Sequence, residues 1–301
     1  METHGSTAKT ALVLSGSGAY GAYEVGVIKA LYAGNSPATR FTALDADVFA
    51  GTSMGGFSAA VMAMDTGGAH ESVARLEHIW TEEVADNGDG RDPFHRLVTR
   101  AIVPQALRDS RKELHVFATS WFNGEAQEFD FTHTKIDEDM WGGIEASAAI
   151  PGICPMVRVG DEDFVDGGLV LNTPTESAVE SGATALHVIG VHPDRSARLT
   201  SSSPHNVEAF VLAYLARLPG ISEDVATTIA ATVRSASWIN EPLEIDERVA
   251  SGDTITIHRY VPKQALGGVL DFDRVSIDRL IKLGYEEALV HDCVANECVV
   301  P

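Results

Sequence analysis

A serine becomes a useful nucleophile only where the chain lifts its hydroxyl clear of the backbone and supplies a base. Gly51-Thr52-Ser53-Met54-Gly55 has the G-x-S-x-G spacing that does the first. At a strand-to-helix corner this spacing forces a sharp turn, and Gly51 and Gly55 relieve the crowding around the Ser53 hydroxyl. A helix starting behind Ser53 would favour negative charge developing there. For the base, the residues leave two options. One is an acid followed by a histidine, in the order Ser…Asp…His, with His187, His192 and His258 as candidates after Asp166. The other is Asp166 itself, at the end of the strand-like Phe164-Val165 and followed by Gly167 and Gly168, which let backbone or ligand come close.

A third turn, Gly16-Ser17-Gly18-Ala19-Tyr20-Gly21, follows the apolar run Ala11–Leu14. Its G-x-G-x-x-G spacing matches the dinucleotide fingerprint, which calls for an acidic residue about 20 positions further on. The corresponding stretch Asn35–Arg40 has none, and the next carboxylate is Asp45. No Gly-Lys-Ser/Thr follows, so the turn is not a nucleotide phosphate loop. Dinucleotide binding is a minor reading; the main one is a loop whose backbone N–H groups bind a developing oxyanion, and a tight turn that lets helix and sheet approach is compatible with either.

These turns need strands before them and helices after them, and the flanking residues supply both. Ala11–Leu14 and Val48–Ala50 read as buried strands; Ala22–Ala33 carries Val25, Ile28, Leu31 and Tyr32 at helical spacing, and Gly56–Met64 reads as a small-residue helix. Leu114–Phe122 and Glu125–Phe131 flank Asn123-Gly124, a hairpin signal. Ile144–Ile150 reads as a short helix stopped by Pro151-Gly152; Leu186–Val191 and Thr254–Tyr260 read as strands and Val275–Val290 as a helix. Asn206–Ser237 reads as two helices divided by Pro219-Gly220. Its stripe of Phe210, Val211, Tyr214, Leu215 and Leu218 suits core packing or a cover over an acyl groove. Strands alternating with helices imply an α/β fold with helices on both faces of a mainly parallel sheet and an added antiparallel strand. No linker composition divides the 301 residues, so one domain is expected over 1–301, with its motif-bearing core over about 9–191. The residues after His291 read as a loose tail.

With 45% apolar residues the chain can bury a sizeable core. A net charge of −21 disfavours nucleic acid as a partner and gives no attraction to anionic lipid. No run of 18 apolar residues is present, so no transmembrane helix is expected. Cys154, Cys293 and Cys298 form no CxxC pair, and Cys293 and Cys298 read as lacking the further Cys or His that a zinc site would need. They read as ordinary thiols of a reducing, cytoplasmic compartment, with no metal site and no cofactor expected.

Leu12–Val27 around the first turn, Gly51–Gly56 around the second, Ala146–Gly152, Phe164–Gly168 and Asn172-Thr173-Pro174 together resemble the bacterial patatin-like phospholipases. The resemblance runs from about Lys9 to Val191 and continues weakly through Leu270-Asp271-Phe272 and the last helix. It implies a three-layer α/β sandwich and a Ser–Asp catalytic dyad without histidine. The nucleophile falls on Ser53, the general base on Asp166, and the oxyanion loop on Gly16, Ser17, Gly18 and Ala19, with the Gly18 and Ala19 N–H groups as donors. Gly21, Gly51, Gly55, Gly167 and Gly168 support the motifs. The implied reaction is hydrolysis of lipid or other acyl esters, at a membrane surface or free in solution, through an acyl-serine. Two departures stand out: Ser17 replaces the family's usual third glycine, and Tyr20 its usual arginine or lysine. With the acidic net charge, the lost cation shifts the expected substrates toward neutral or zwitterionic lipids and soluble acyl esters. The rival readings are a histidine-dependent α/β-hydrolase esterase, an acyltransferase built on the same intermediate, and a silent lipid-binding module.

Overall fold

The computed structural model describes residues 9–85, 93–131, 139–151, 154–191 and 255–300. The expected helices of 206–237, and His192, lie outside them. Five parallel strands form the frame in the order β3 (Glu113–Ser120), β2 (Val48–Thr52), β1 (Lys9–Leu14), β7 (Ala183–Ile189) and β8 (Thr256–Tyr260). The Asn123-Gly124 turn returns β4 (Ala126–Asp130) antiparallel along one edge of β3. The short strands β5 (Val157–Val159) and β6 (Glu162–Asp166) form an antiparallel hairpin, and β6 also pairs antiparallel with β3.

Alternation along the strands sorts the core into two faces, as the two-residue period of a strand requires. Leu12, Leu14 and Phe49 point into the larger cluster, which holds the buried sides of α1 (Gly21–Tyr32), α2 (Met54–Ala63), α3 (Ala69–His78) and α8 (Arg274–Leu289). Ala11, Val13, Val48 and Ala50 point to the opposite face, against Ala178 of α7 (Thr175–Glu180). Each large apolar side chain buried this way is worth about 1.5–3 kcal/mol. Every residue of α2 is buried, which its Gly/Ala-rich sequence permits: a helix apolar all round belongs inside. Helices α1 and α8 pack face to face, and at their crossing a Cβ on Gly26 or Gly284 would run into the partner helix's backbone.

The remaining described helices are α4 (Pro93–Ala101), α5 (Pro104–Ser110) and α6 (Asp139–Ser147), with a π-helical stretch Ile79–Val84 continuing α3. Helix α6 starts before the expected Ile144 and ends at Ser147, short of Pro151, whose ring disfavours helical backbone in the residue before it. The expected loose tail is a further difference: Val299 pairs with Ile257 of β8 through both backbone hydrogen bonds, 2.7 and 3.0 Å. The open edge of β8 draws the chain back.

Candidate active site

The register on β3 brings Ser53 and Asp166 together. Phe117 faces Glu128 of β4 on one side and Thr52 of β2 on the other, while Ala118 faces Gln127 of β4 and Asp166 of β6. Strands β2 and β6 therefore share the edge of β3 opposite β4 and meet end to end. One contributes Ser53 just past its last residue; the other ends on Asp166. Ser53 Oγ donates a hydrogen bond to Asp166 Oδ2 at 2.6 Å, and both side chains are buried.

The elbow at Ser53 is strained, with φ 55° and ψ −130°, backbone that L-residues rarely adopt. What holds it is partly remote in sequence. The Ser53 N–H donates to Ser147 Oγ at 2.7 Å, and that hydroxyl donates onward to Phe117 O at 2.6 Å. Ser147 thus ties the last turn of α6 to the elbow and to β3. Thr52 Oγ1 donates to Leu171 O at 2.9 Å. Gly51 is the last residue but one of β2, and Gly55 is in the first turn of α2, against the backbone of Leu14 and Ser15.

Asp166 is held as firmly. Its N–H donates to Ala149 O at 2.9 Å, its carbonyl accepts from Thr119 Oγ1 at 2.9 Å, and its Oδ1 accepts from the Gly168 N–H at 2.7 Å. Gly167 and Gly168 form the 3-10 turn that aims this N–H back at the carboxylate. Burial pushes the Asp166 carboxyl up to about 6, against the hydrogen bonds from Ser53 and Gly168, which favour the ionised form. A base poised there is ionised at neutral pH and basic enough to take a proton.

The glycine loop lies alongside. A Cβ on Gly16 would reach the side chains of Asn172 and Ser53. Gly18 has φ +51°, and the loop turns there into a 3-10 turn that leads to Gly21 and α1. Ser17, in place of glycine, turns its hydroxyl inward to Glu24 Oε2 at 3.1 Å, and burial raises the Glu24 carboxyl well above the ordinary range. The loop amides are unequally available. Gly16 N–H donates to Asn172 O and Ala19 N–H to Val269 O, both at 2.8 Å, whereas the Gly18 N–H has no protein acceptor among the described residues. In this conformation the Ala19 N–H is therefore engaged with Val269 rather than open. Tyr20, in place of a cation, donates from its hydroxyl to Gly267 O at 2.6 Å. The segment 267–269 is thereby strapped across the loop.

The histidines go elsewhere. His187, buried on β7, bonds Tyr260 Oη through Nδ1 at 2.9 Å and stacks on His258, with ring centroids 5.1 Å apart. Burial, reinforced by His258 and His291, pushes its pKa down to about 3. Neither His187 nor His258 bonds Ser53 or Asp166. His258 instead gathers with His291, Cys293 and Cys298, all four offering ligand atoms within 4.8 Å of one another. The reading of these cysteines as lacking further ligands is corrected here. The histidine from β8 is 35 residues from Cys293, so no local spacing reveals it. Ser147, Thr119, Asn172 and the strap were also missed; Ser147 and Asn172 lie within the family motifs, but nothing in their spacing gives their partners.

Fold and site together define an α/β hydrolytic scaffold with a serine elbow facing a buried aspartate. The chain belongs to the patatin-like phospholipase family, a family of lipid ester hydrolases, whose profile matches residues 12–179. Over 192 residues, 60% of the chain, it is 27% identical to the lysophospholipase nte1 of Aspergillus niger. The match spans 12% of that protein's length. Among solved structures it is similar to VipD from Legionella pneumophila, with a TM-score of 0.45 and 13% identity over 95% of this chain and 67% of that one. No helix among the described residues is long and apolar enough to cross a membrane.

Proposed function

We propose that the protein hydrolyses fatty-acyl ester bonds of phospholipids or related acyl esters through an acyl-Ser53 intermediate, with Asp166 as its general base. The observation that carries this reading is the 2.6 Å bond from the hydroxyl of a strained elbow serine to a buried carboxylate. Ser53 Oγ attacks the ester carbonyl carbon as its proton passes to Asp166 Oδ2. The carbonyl oxygen becomes an oxyanion, and the loop amides meet it. Collapse of the tetrahedral intermediate breaks the ester C–O bond, and the leaving alcohol takes the proton from Asp166. Water then attacks the acyl-serine, gives a proton to Asp166, and the acid departs as Ser53 Oγ recovers that proton.

The Gly18 N–H is ready for the oxyanion, and the Ala19 N–H already holds a carbonyl oxygen, that of Val269. We read the Val269 carbonyl as a stand-in that substrate displaces, so the strap must move before Ala19 serves. Removing one such donor costs roughly 10²–10³ in kcat.

The test is hydrolysis of a mixed panel of phospholipids, lysolipids, glycerides and short-chain esters, with products identified by mass spectrometry. The wild type should release fatty acid from at least one lipid class. Ser53→Ala should abolish release, and Asp166→Asn should lower it by about 100-fold or more. Residual activity within tenfold of wild type in folded Ser53→Ala would sink the nucleophile assignment.

A further inference from the structure

The far edge of the sheet carries a second constellation, remote from the dyad in topology: β1 and β7 stand between β8 and the elbow strand β2. After α8 the chain turns back to pair Val299 with Ile257, which sets Cys298 beside His258 and Arg259 of β8. The Arg259 N–H donates to Cys298 Sγ at 3.2 Å. His291 and Cys293 come from the turn between α8 and that pairing. Cys293 Sγ lies 3.6 Å from His258 Nδ1 and 3.6 Å from His291 Nε2, and Cys298 Sγ lies 3.4 Å from His291 Nε2. Both imidazoles are braced by rings: His187 stacks on His258, and Tyr260 lies against His291 with centroids 4.5 Å apart.

These distances have a specific meaning. A tetrahedral ion with Zn–S near 2.3 Å and Zn–N near 2.0–2.1 Å sets its sulfur and nitrogen ligands about 3.6 Å apart. The three sulfur–nitrogen separations are 3.4, 3.6 and 3.6 Å. Thiol–imidazole hydrogen bonds have similar lengths; what points to one shared ion is that all four ligand atoms converge within 4.8 Å of one another.

We propose that His258, His291, Cys293 and Cys298 form a four-coordinate zinc site that staples the C-terminal segment to the edge of the sheet. Two thiolates and two imidazoles suit zinc rather than magnesium or calcium, which prefer oxygen. With four protein ligands no position is left open for substrate, the pattern of a structural rather than a catalytic ion. The Arg259 N–H offers the sulfur of Cys298 a donor of the kind that stabilises a metal-bound thiolate. The segment that the ion fixes begins at the end of α8, which packs on α1, the helix that leaves the oxyanion loop. The staple therefore supports the site from behind while taking no part in its chemistry.

Elemental analysis of the full-length protein, purified without chelator under reducing conditions, is the test. One zinc per chain is expected. Replacement of zinc by cobalt should give the intense visible bands of tetrahedral cobalt with thiolate-to-metal charge transfer. Cys293→Ser and Cys298→Ser should each lose the metal, and stripping it from the wild type with a strong chelator should lower Tm by about 5 °C or more. Should the serine variants fail to fold, the metal content and cobalt spectrum of the wild type decide alone. Absence of zinc together with failure of the reduced protein to take up zinc or cobalt at one per chain would overturn the proposal. So would a Cys293–Cys298 disulfide in protein purified this way.

Discussion

Asp166 meets two opposed demands, and its surroundings show how they are balanced. Burial raises its pKa, while the Ser53 hydroxyl and the Gly168 N–H favour its ionised form, leaving it at about 6. As the base it must be ionised, so kcat/KM should fall about tenfold per pH unit below about 6 and be flat above, up to the next titration. A profile flat from pH 4.5 to 8 on a soluble ester would remove Asp166 from that role. Glu24 gives a second test at this scale. Its carboxyl is buried, accepts from Ser17, and has its pKa raised well above the ordinary value of 4.5. The folded chain therefore keeps a proton there that the unfolded chain gives up as pH rises past that value. Wild-type stability is drained by about 1.4 kcal/mol per pH unit over that range, and Glu24→Gln escapes the drain. Urea denaturation should show the Gln variant gaining on wild type as pH rises above 4.5. A constant difference between the two would mean that Glu24 is ionised in the folded protein.

Among the elements, the oxyanion loop and the strap above it form a coupled pair. The strap is held by the Tyr20 hydroxyl on Gly267 O and by the Ala19 N–H on Val269 O. A hydrogen bond of this kind contributes about 1 kcal/mol net, roughly a fivefold change in a closed-to-open equilibrium. Tyr20→Phe should therefore raise kcat/KM on a bulky acyl ester by about two- to fivefold, with Tm nearly unchanged. A folded Tyr20→Phe protein with activity lowered tenfold would give the phenol a catalytic part and end the strap reading. Where the resemblance implies a cation, the tyrosine side chain reaches across and donates to the backbone carbonyl of Gly267.

Across the whole molecule, what the sequence made legible was local, and what it hid was register. The three glycine turns, the Asn123-Gly124 hairpin and the strand–helix alternation are written in neighbouring residues, where φ demands and apolar periodicity act over a few positions. The meeting of Ser53 with Asp166 depends on β2 and β6 sharing one edge of β3, a pairing set by tertiary packing. Ser147 reaches the elbow across 94 residues and Tyr20 reaches the strap across 247. The His/Cys cluster was hidden in the same way, since His258 joins the neighbouring His291, Cys293 and Cys298 only where the chain folds back on β8. The sequence therefore names the reacting groups more readily than the residues that hold them in place.

The dyad is the central claim, and covalent trapping tests it most directly. The protein would be treated with a fluorophosphonate and analysed by intact mass and peptide mapping, in parallel with Ser53→Ala, Asp166→Asn and His192→Ala. The account predicts a single adduct on Ser53 in the wild type and none in Ser53→Ala. It predicts labelling about 100-fold slower in Asp166→Asn and at the wild-type rate in His192→Ala. An adduct on another residue, or Asp166→Asn labelling as fast as wild type while His192→Ala does not label, would contradict it.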